Sequence, residues 1–153
     1  MAHAFDNRQR PWQHGGGGTP RQAASVPVTF YRDPANKKQL NPTLLNEDAE
    51  KQAAALHDKI NSAQIRRFFS EVKNLSLRLE QGRPWTQIEP FFRMLRSKAE
   101  YARGTGKIPP DFANFISDNT KPDRVKDEQD FRAFVLYFEA VLGFAYGKGL
   151  VKK

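Results

Sequence analysis

Few residues in this sequence have the type and spacing to do chemistry, and most of those are cations. Gly104-Thr105-Gly106-Lys107 has the composition of a phosphate loop, in which glycine amides surround an anion and a lysine neutralises it. The spacing departs from that pattern. Tyr101 stands where the leading glycine is required, and Ile108 stands where a magnesium-binding Ser or Thr is required. The residues before the loop also read as a helix rather than a strand. Of the three histidines, His3 and His14 fall in a stretch too rich in glycine to preorganise a triad or a metal site. His57 stands alone on the polar side of a helix, followed by Asp58. No HExxH motif occurs, and the absence of cysteine excludes disulfides and thiolate metal sites. The pattern points away from an enzyme, and neither a metal nor any other cofactor is expected.

The positive charge is the more informative signal. Lys and Arg number 25 against 17 Asp and Glu, a net +8, which favours a polyanionic partner. The excess is unevenly placed. Residues 62–107 carry ten basic and four acidic side chains, whereas 108–153 carry seven of each. Residues 1–40 hold six basic and two acidic, and 41–61 two basic and four acidic. A membrane partner fits poorly, because no free apolar face accompanies the basic positions. The longest apolar stretch, residues 131–146, is interrupted by Arg132 and Glu139 and reads as a buried core helix. The first residues lack the apolar h-region of a secretory signal. A soluble cytoplasmic protein is expected.

The elements that position these cations are helical. Residues 1–42 are rich in Gly, Pro and Gln, include four consecutive glycines at 15–18, and read as a flexible extension. VPVTFYR (26–32) alternates weakly, and no segments able to build a sheet stand out. Residues 43–153 then read as a small all-α bundle of about five helices. Asn46 caps a first helix near 46–60, with Leu45, Ala49, Ala53, Leu56 and Ile60 as its stripe. Asn61 or Ser62 caps a second, closed by Gly82 and Pro84. The third runs from Pro84 to Arg103, with Pro90 set to kink it or shift its start. Pro109-Pro110 opens a short fourth. The fifth, 123–146, is apolar almost all round and belongs at the bundle centre.

Projection at 100° per residue sorts the cations into flanks. On the second helix Arg66, Ser70 and Lys73 share one side of the apolar arc, and Arg67, Asn74 and Arg78 the other, near Glu71. On the third, Arg93, Arg96 and Arg103 surround Glu100 on the outer face. Such rows suit contact with phosphates rather than reading of bases. The competing explanation is an ordinary solvated face with i,i+4 pairs such as Arg67–Glu71 and Arg96–Glu100. Lys98 projects into the apolar arc between Phe91, Met94 and Tyr101. It either snorkels along them or is held by them to present a fixed cation to a phosphate.

SAQIRRFFSEVK (62–73), PFFRMLRSKAEYARGTGK (90–107) and FRAFVLYFEAVLGFAYGKG (131–149) resemble, in order and spacing, the small subunit of type III-A CRISPR–Cas effector complexes, the Csm complex. The second block carries most of the specificity, through its proline, Met-Leu pair, Ser-Lys and Tyr followed by Gly-x-Gly. The resemblance implies a non-catalytic all-α subunit. Copies of it would stack head to tail as a filament along guide (CRISPR) RNA and complementary target RNA. Beside them would lie the repeated backbone subunits and the large polymerase-cyclase subunit. Arg66, Arg67, Arg93, Arg96, Lys98, Arg103 and Lys107 are then the expected RNA contacts, with Lys73 and Arg78 added from the projection. Sequence information would come from guide pairing, leaving the protein to read shape and charge. The alternatives are a helical protein–protein adaptor whose basic face only solubilises it, or another basic nucleic-acid-binding structural protein.

Overall fold

A computed structural model describes residues 25–57 and 59–152. Its frame is four long or medium helices: α2 (Ser62–Glu80), α3 (Trp85–Gly104), α4 (Pro110–Asn119) and α5 (Glu128–Gly147), preceded by a short α1 (Ala49–Ala54). The expected bundle of five helices is present, and each boundary has a local cause. Asn61 caps α2 by accepting from the amides of Ala63 and Gln64 at 2.9 and 3.3 Å. Asp127 caps α5 through the Asp130 amide at 2.9 Å, while the Asp130 carboxylate accepts from the Lys126 amide, also at 2.9 Å. That reciprocal cap starts α5 five residues later than position 123. Pro90 lies inside α3, which begins at Trp85 regardless.

The core is built around α5, as its pattern requires. Phe131, Phe134, Tyr137 and Phe138 are buried together with Phe92 of α3 and Phe112 and Phe115 of α4. Ring centroids lie 5.0 Å apart for Phe92–Phe131 and 5.2 Å for Phe115–Phe138. Such aromatic pairs add to the stabilisation from area removed from water.

The first helix differs from expectation. A five-residue π-helical turn (Leu44–Asp48) precedes α1, closed by the Asp48 amide on the Thr43 carbonyl at 3.0 Å. Asn46 therefore is not a cap; Asn41 organises the entry instead, accepting from the Thr43 amide and hydroxyl at 3.2 and 3.1 Å. The helix stops at Ala54, yet Leu56 and Ile60 are still buried. Ile60 leaves the helical pattern because it joins strand β3 (Ile60–Asn61), paired in parallel with β4 (Val151–Lys152); β1 (Tyr31–Asp33) and β2 (Asn36–Leu40) lie nearer the start of the chain.

Residues 25–42, read as part of a flexible extension, instead pack on the bundle. β1 (Tyr31–Asp33) and β2 (Asn36–Leu40) form an antiparallel hairpin, turned by Asp33 accepting from the Ala35 amide at 2.9 Å. Phe30 and Tyr31 are buried, and Lys37 bridges Asp127 and Asp130, the latter at 3.1 Å. Ser25 donates its amide and hydroxyl to Asp118 at 3.1 and 2.7 Å, and the Val26 amide donates to Gln52 at 2.8 Å. A lone hairpin is marginal in water, but one with two buried aromatics and an ion-paired lysine has a core to lean on. The rest of the expected extension, residues 1–24, lies outside the described residues.

Candidate nucleic-acid interface

The two α2 flanks inferred from the helical projection face different neighbours. Arg67, Glu71, Asn74 and Arg78 line a groove between α2 and α3; Arg66 reaches Tyr146 of α5, and Lys73 stands over Phe69 of α2 itself. The opposite wall of the groove is Phe91, Met94, Ser97, Lys98, Tyr101 and Lys107. Its more enclosed part, about 290 Å³, is floored by buried Phe68 and Ala102. Arg67 and Arg78 are eleven positions apart on one helix, roughly 16 Å at 1.5 Å per residue, long enough for several phosphates of a strand.

At the middle of this groove the Lys98 ammonium donates to Glu71 at 2.8 Å. Neither reading of Lys98 from sequence anticipated that partner. The apolar residues expected to enclose it are themselves at the surface: Tyr101 is 67% exposed, Phe91 51% and Met94 44%. They form a stripe beside Lys98 rather than a wall of the core. Glu71 pairs across to α3, so the Arg67–Glu71 pair within α2 is not formed. Arg67 and Arg78 have no side-chain partner among the described residues.

The GTGK turn serves as a helix stop. Gly106 takes φ +74°, and the Lys107 amide reaches back to the Ala102 carbonyl at 2.8 Å. Lys107 is thereby placed at the groove end, its Nζ 5.8 Å from the Tyr101 ring centroid. Beyond it the groove opens into a polar bowl lined by Lys59, Asn61, Gln64, Lys107 and Lys152. Sequence reasoning passed over Lys59 and Lys152. They lie far apart in the chain, and only the β3–β4 pairing brings them to one rim.

The remaining expected contacts are distributed elsewhere. Arg66 donates Nε to the Tyr146 hydroxyl at 2.9 Å and lies 5.6 Å from that ring centroid. Hydrogen bonds from Ser62 and Arg66 hold the Tyr146 hydroxyl below its usual pKa despite the opposing effect of burial. Lys73 stands over Phe69. Arg93, expected on an outer face, is largely enclosed. It donates to the carbonyls of Thr120 and Val125 at 2.9 and 2.7 Å and to Glu89 at 2.7 Å, against Trp85 and Phe92. Arg103 pairs with Glu100, which also accepts from Ser117 of α4 at 3.2 Å, so Arg96–Glu100 is not the pair that forms. Arg96 is exposed and lies outside the groove lining. The groove thus collects Arg67, Arg78, Lys98 and Lys107, with one acid that is already paired.

No helix among the described residues is long and apolar enough to cross a membrane. No group of three or more His, Asp or Glu among them could hold a metal ion. The His57 backbone amide donates to Asp111 at 3.3 Å, tying the end of the first helical segment to α4. Comparison with curated proteins and with solved structures gives no match. The family model described as Csm2 Type III-A matches residues 39–149, from the end of β2 through α5. The chain therefore belongs to the Csm2 family, the small subunits of type III-A CRISPR–Cas complexes.

Proposed function

We propose that this chain is a non-catalytic RNA-binding subunit of a type III-A effector complex, and that the α2/α3 groove is the surface that holds RNA. Copies stack head to tail into a filament beside the backbone and polymerase-cyclase subunits, along guide RNA and its paired target. Contact is made to the sugar–phosphate backbone, independently of sequence. The observation that carries this reading is the groove itself: Arg67, Arg78 and Lys107 line one track without carboxylate partners among the described residues, and Lys98 stands between them. Rows of cations at that spacing suit phosphates. Arg66, Lys73 and Arg96 form a second, more dispersed set of contacts on exposed surface. Arg93 and Arg103 act through the fold, because their guanidinium groups are engaged within it.

The test is RNA affinity at two salt concentrations, for the chain alone and in the assembled complex. Arg67→Ala, Arg78→Ala and Lys107→Ala should each weaken binding for every RNA sequence, and each should lower the salt slope by about 0.7 for a single strand. If none weakens binding in either setting, the groove is not the RNA surface.

A further inference from the structure

The groove contains more than charge. Toward its Lys107 end a tyrosine ring stands in solvent, in a depression that three cations line. Tyr101 is 67% exposed on a well-formed helix, outside the hydrophobic core and paired with no other aromatic ring among the described residues. The Lys107 ammonium lies 5.8 Å from its centroid, and Arg67 and Lys98 line the same depression. Gln64 and Ser97 bring neutral donors and acceptors to that wall, and Phe68 and Ala102 give it an apolar floor. A groove made only for phosphates needs no such ring and no apolar floor. An exposed aromatic among cations, with amide and hydroxyl groups at hand, matches the stacking platforms of single-strand binding proteins. A duplex keeps its base faces stacked inside and offers them to no side chain.

Building on the proposed RNA-binding function, we infer that the Lys107 end of the α2/α3 groove takes an unpaired nucleotide, its base stacked on Tyr101 and its flanking phosphates against Arg67, Lys98 and Lys107. The groove is accordingly a single-strand site at this end. Its sequence tolerance is retained, since every base has a face to stack. Farther along, Phe91 and Met94 offer a second apolar surface, ten and seven residues before Tyr101 on the same helix.

The experiment compares a short single-stranded RNA carrying 2-aminopurine with the same RNA made duplex, bound to the full chain. Tyr101→Ala should weaken single-strand binding about tenfold, in line with loss of one stacked base, and should abolish the quenching of 2-aminopurine. Tyr101→Phe should retain both. Duplex affinity should be unchanged by either substitution, and thermal unfolding should match the parent because the ring is exposed. If Tyr101→Ala binds the single strand as the parent does while Arg67→Ala and Lys107→Ala weaken it, stacking is refuted and backbone binding stands. If the basic variants are also without effect, the RNA-binding reading fails with it. Should Tyr101→Ala change the mass of the chain in solution and leave RNA affinity alone, the ring is a contact between copies, and the inference is overturned.

Discussion

Replacing Arg93 with alanine separates a structural arginine from an RNA-binding one. Its guanidinium closes the turn between α4 and α5 by donating to Thr120 and Val125 carbonyls, 27 and 32 residues away in sequence, while pairing with Glu89. A hydrogen bond from a charged donor contributes roughly 1.5–3 kcal/mol, and deleting the donor leaves two carbonyls without a partner. The Glu89 pair, half exposed on a helix face, adds only about 0.3–0.5 kcal/mol. Contacts that share one side chain do not sum, so about 3 kcal/mol is the expected loss. For a chain of this size that corresponds to a fall in Tm of roughly 10 °C. The measurement is thermal unfolding followed by circular dichroism, beside RNA affinity taken well below the variant's transition. A large fall in Tm with affinity retained by the folded fraction is expected. An unchanged Tm together with weakened RNA binding would refute this reasoning and return Arg93 to the RNA surface.

Glu71→Gln releases Lys98 and removes the single acid that the groove lining holds among the described residues, so RNA should bind about fivefold more tightly at low salt, from the ~1 kcal/mol between unit charges 4 Å apart in water. A fall in affinity would mean that Glu71 positions Lys98 for RNA instead of competing with RNA for it. The hairpin latch makes stability depend on pH. Burial alone would raise the Asp127 carboxyl, but the Lys37 ammonium and the Asp130 amide outweigh it and hold that carboxyl below its usual range. Stability from this group is thus complete above the ordinary carboxylate pKa and is lost as the pH falls through the depressed value. Urea midpoints should drop as the pH falls from about 5 to about 2, and Lys37→Met should start lower and change less. Tyr137→Phe should raise stability by about 1 kcal/mol, read as a higher urea midpoint, because the Tyr137 hydroxyl is buried without a partner among the described residues.

What could be read from the sequence was whatever depends on near neighbours along the chain. The Asn61 cap, the stop at Gly104–Gly106 and the two α2 flanks follow from spacing of a few residues, and the structure contains them. The partners of the cations do not follow from spacing. Lys98 meets Glu71 on another helix, and the periodicity that put Lys98 in an apolar arc does not reveal that Phe91 and Tyr101 remain uncovered. Arg93 was misplaced for the same reason: two backbone carbonyls on a distant turn leave no trace in side-chain periodicity. The hairpin was missed because its strands are short and polar, and their burial rests on Phe30, Tyr31 and Lys37 meeting α5.

The parallel pairing of β3 with β4 bears on how the molecule is made. The Ile60 amide donates to the Leu150 carbonyl at 2.9 Å, across ninety positions of chain. During synthesis α2 and α3 emerge early and can form from local contacts, but the strand flanking the first turn of α2 has no partner until Leu150 and Val151 leave the ribosome. Lys152 arrives at the basic bowl in the same step. The groove mouth is therefore the last part of the proposed RNA track to be completed, so a nascent chain carries its helices before it carries the finished groove.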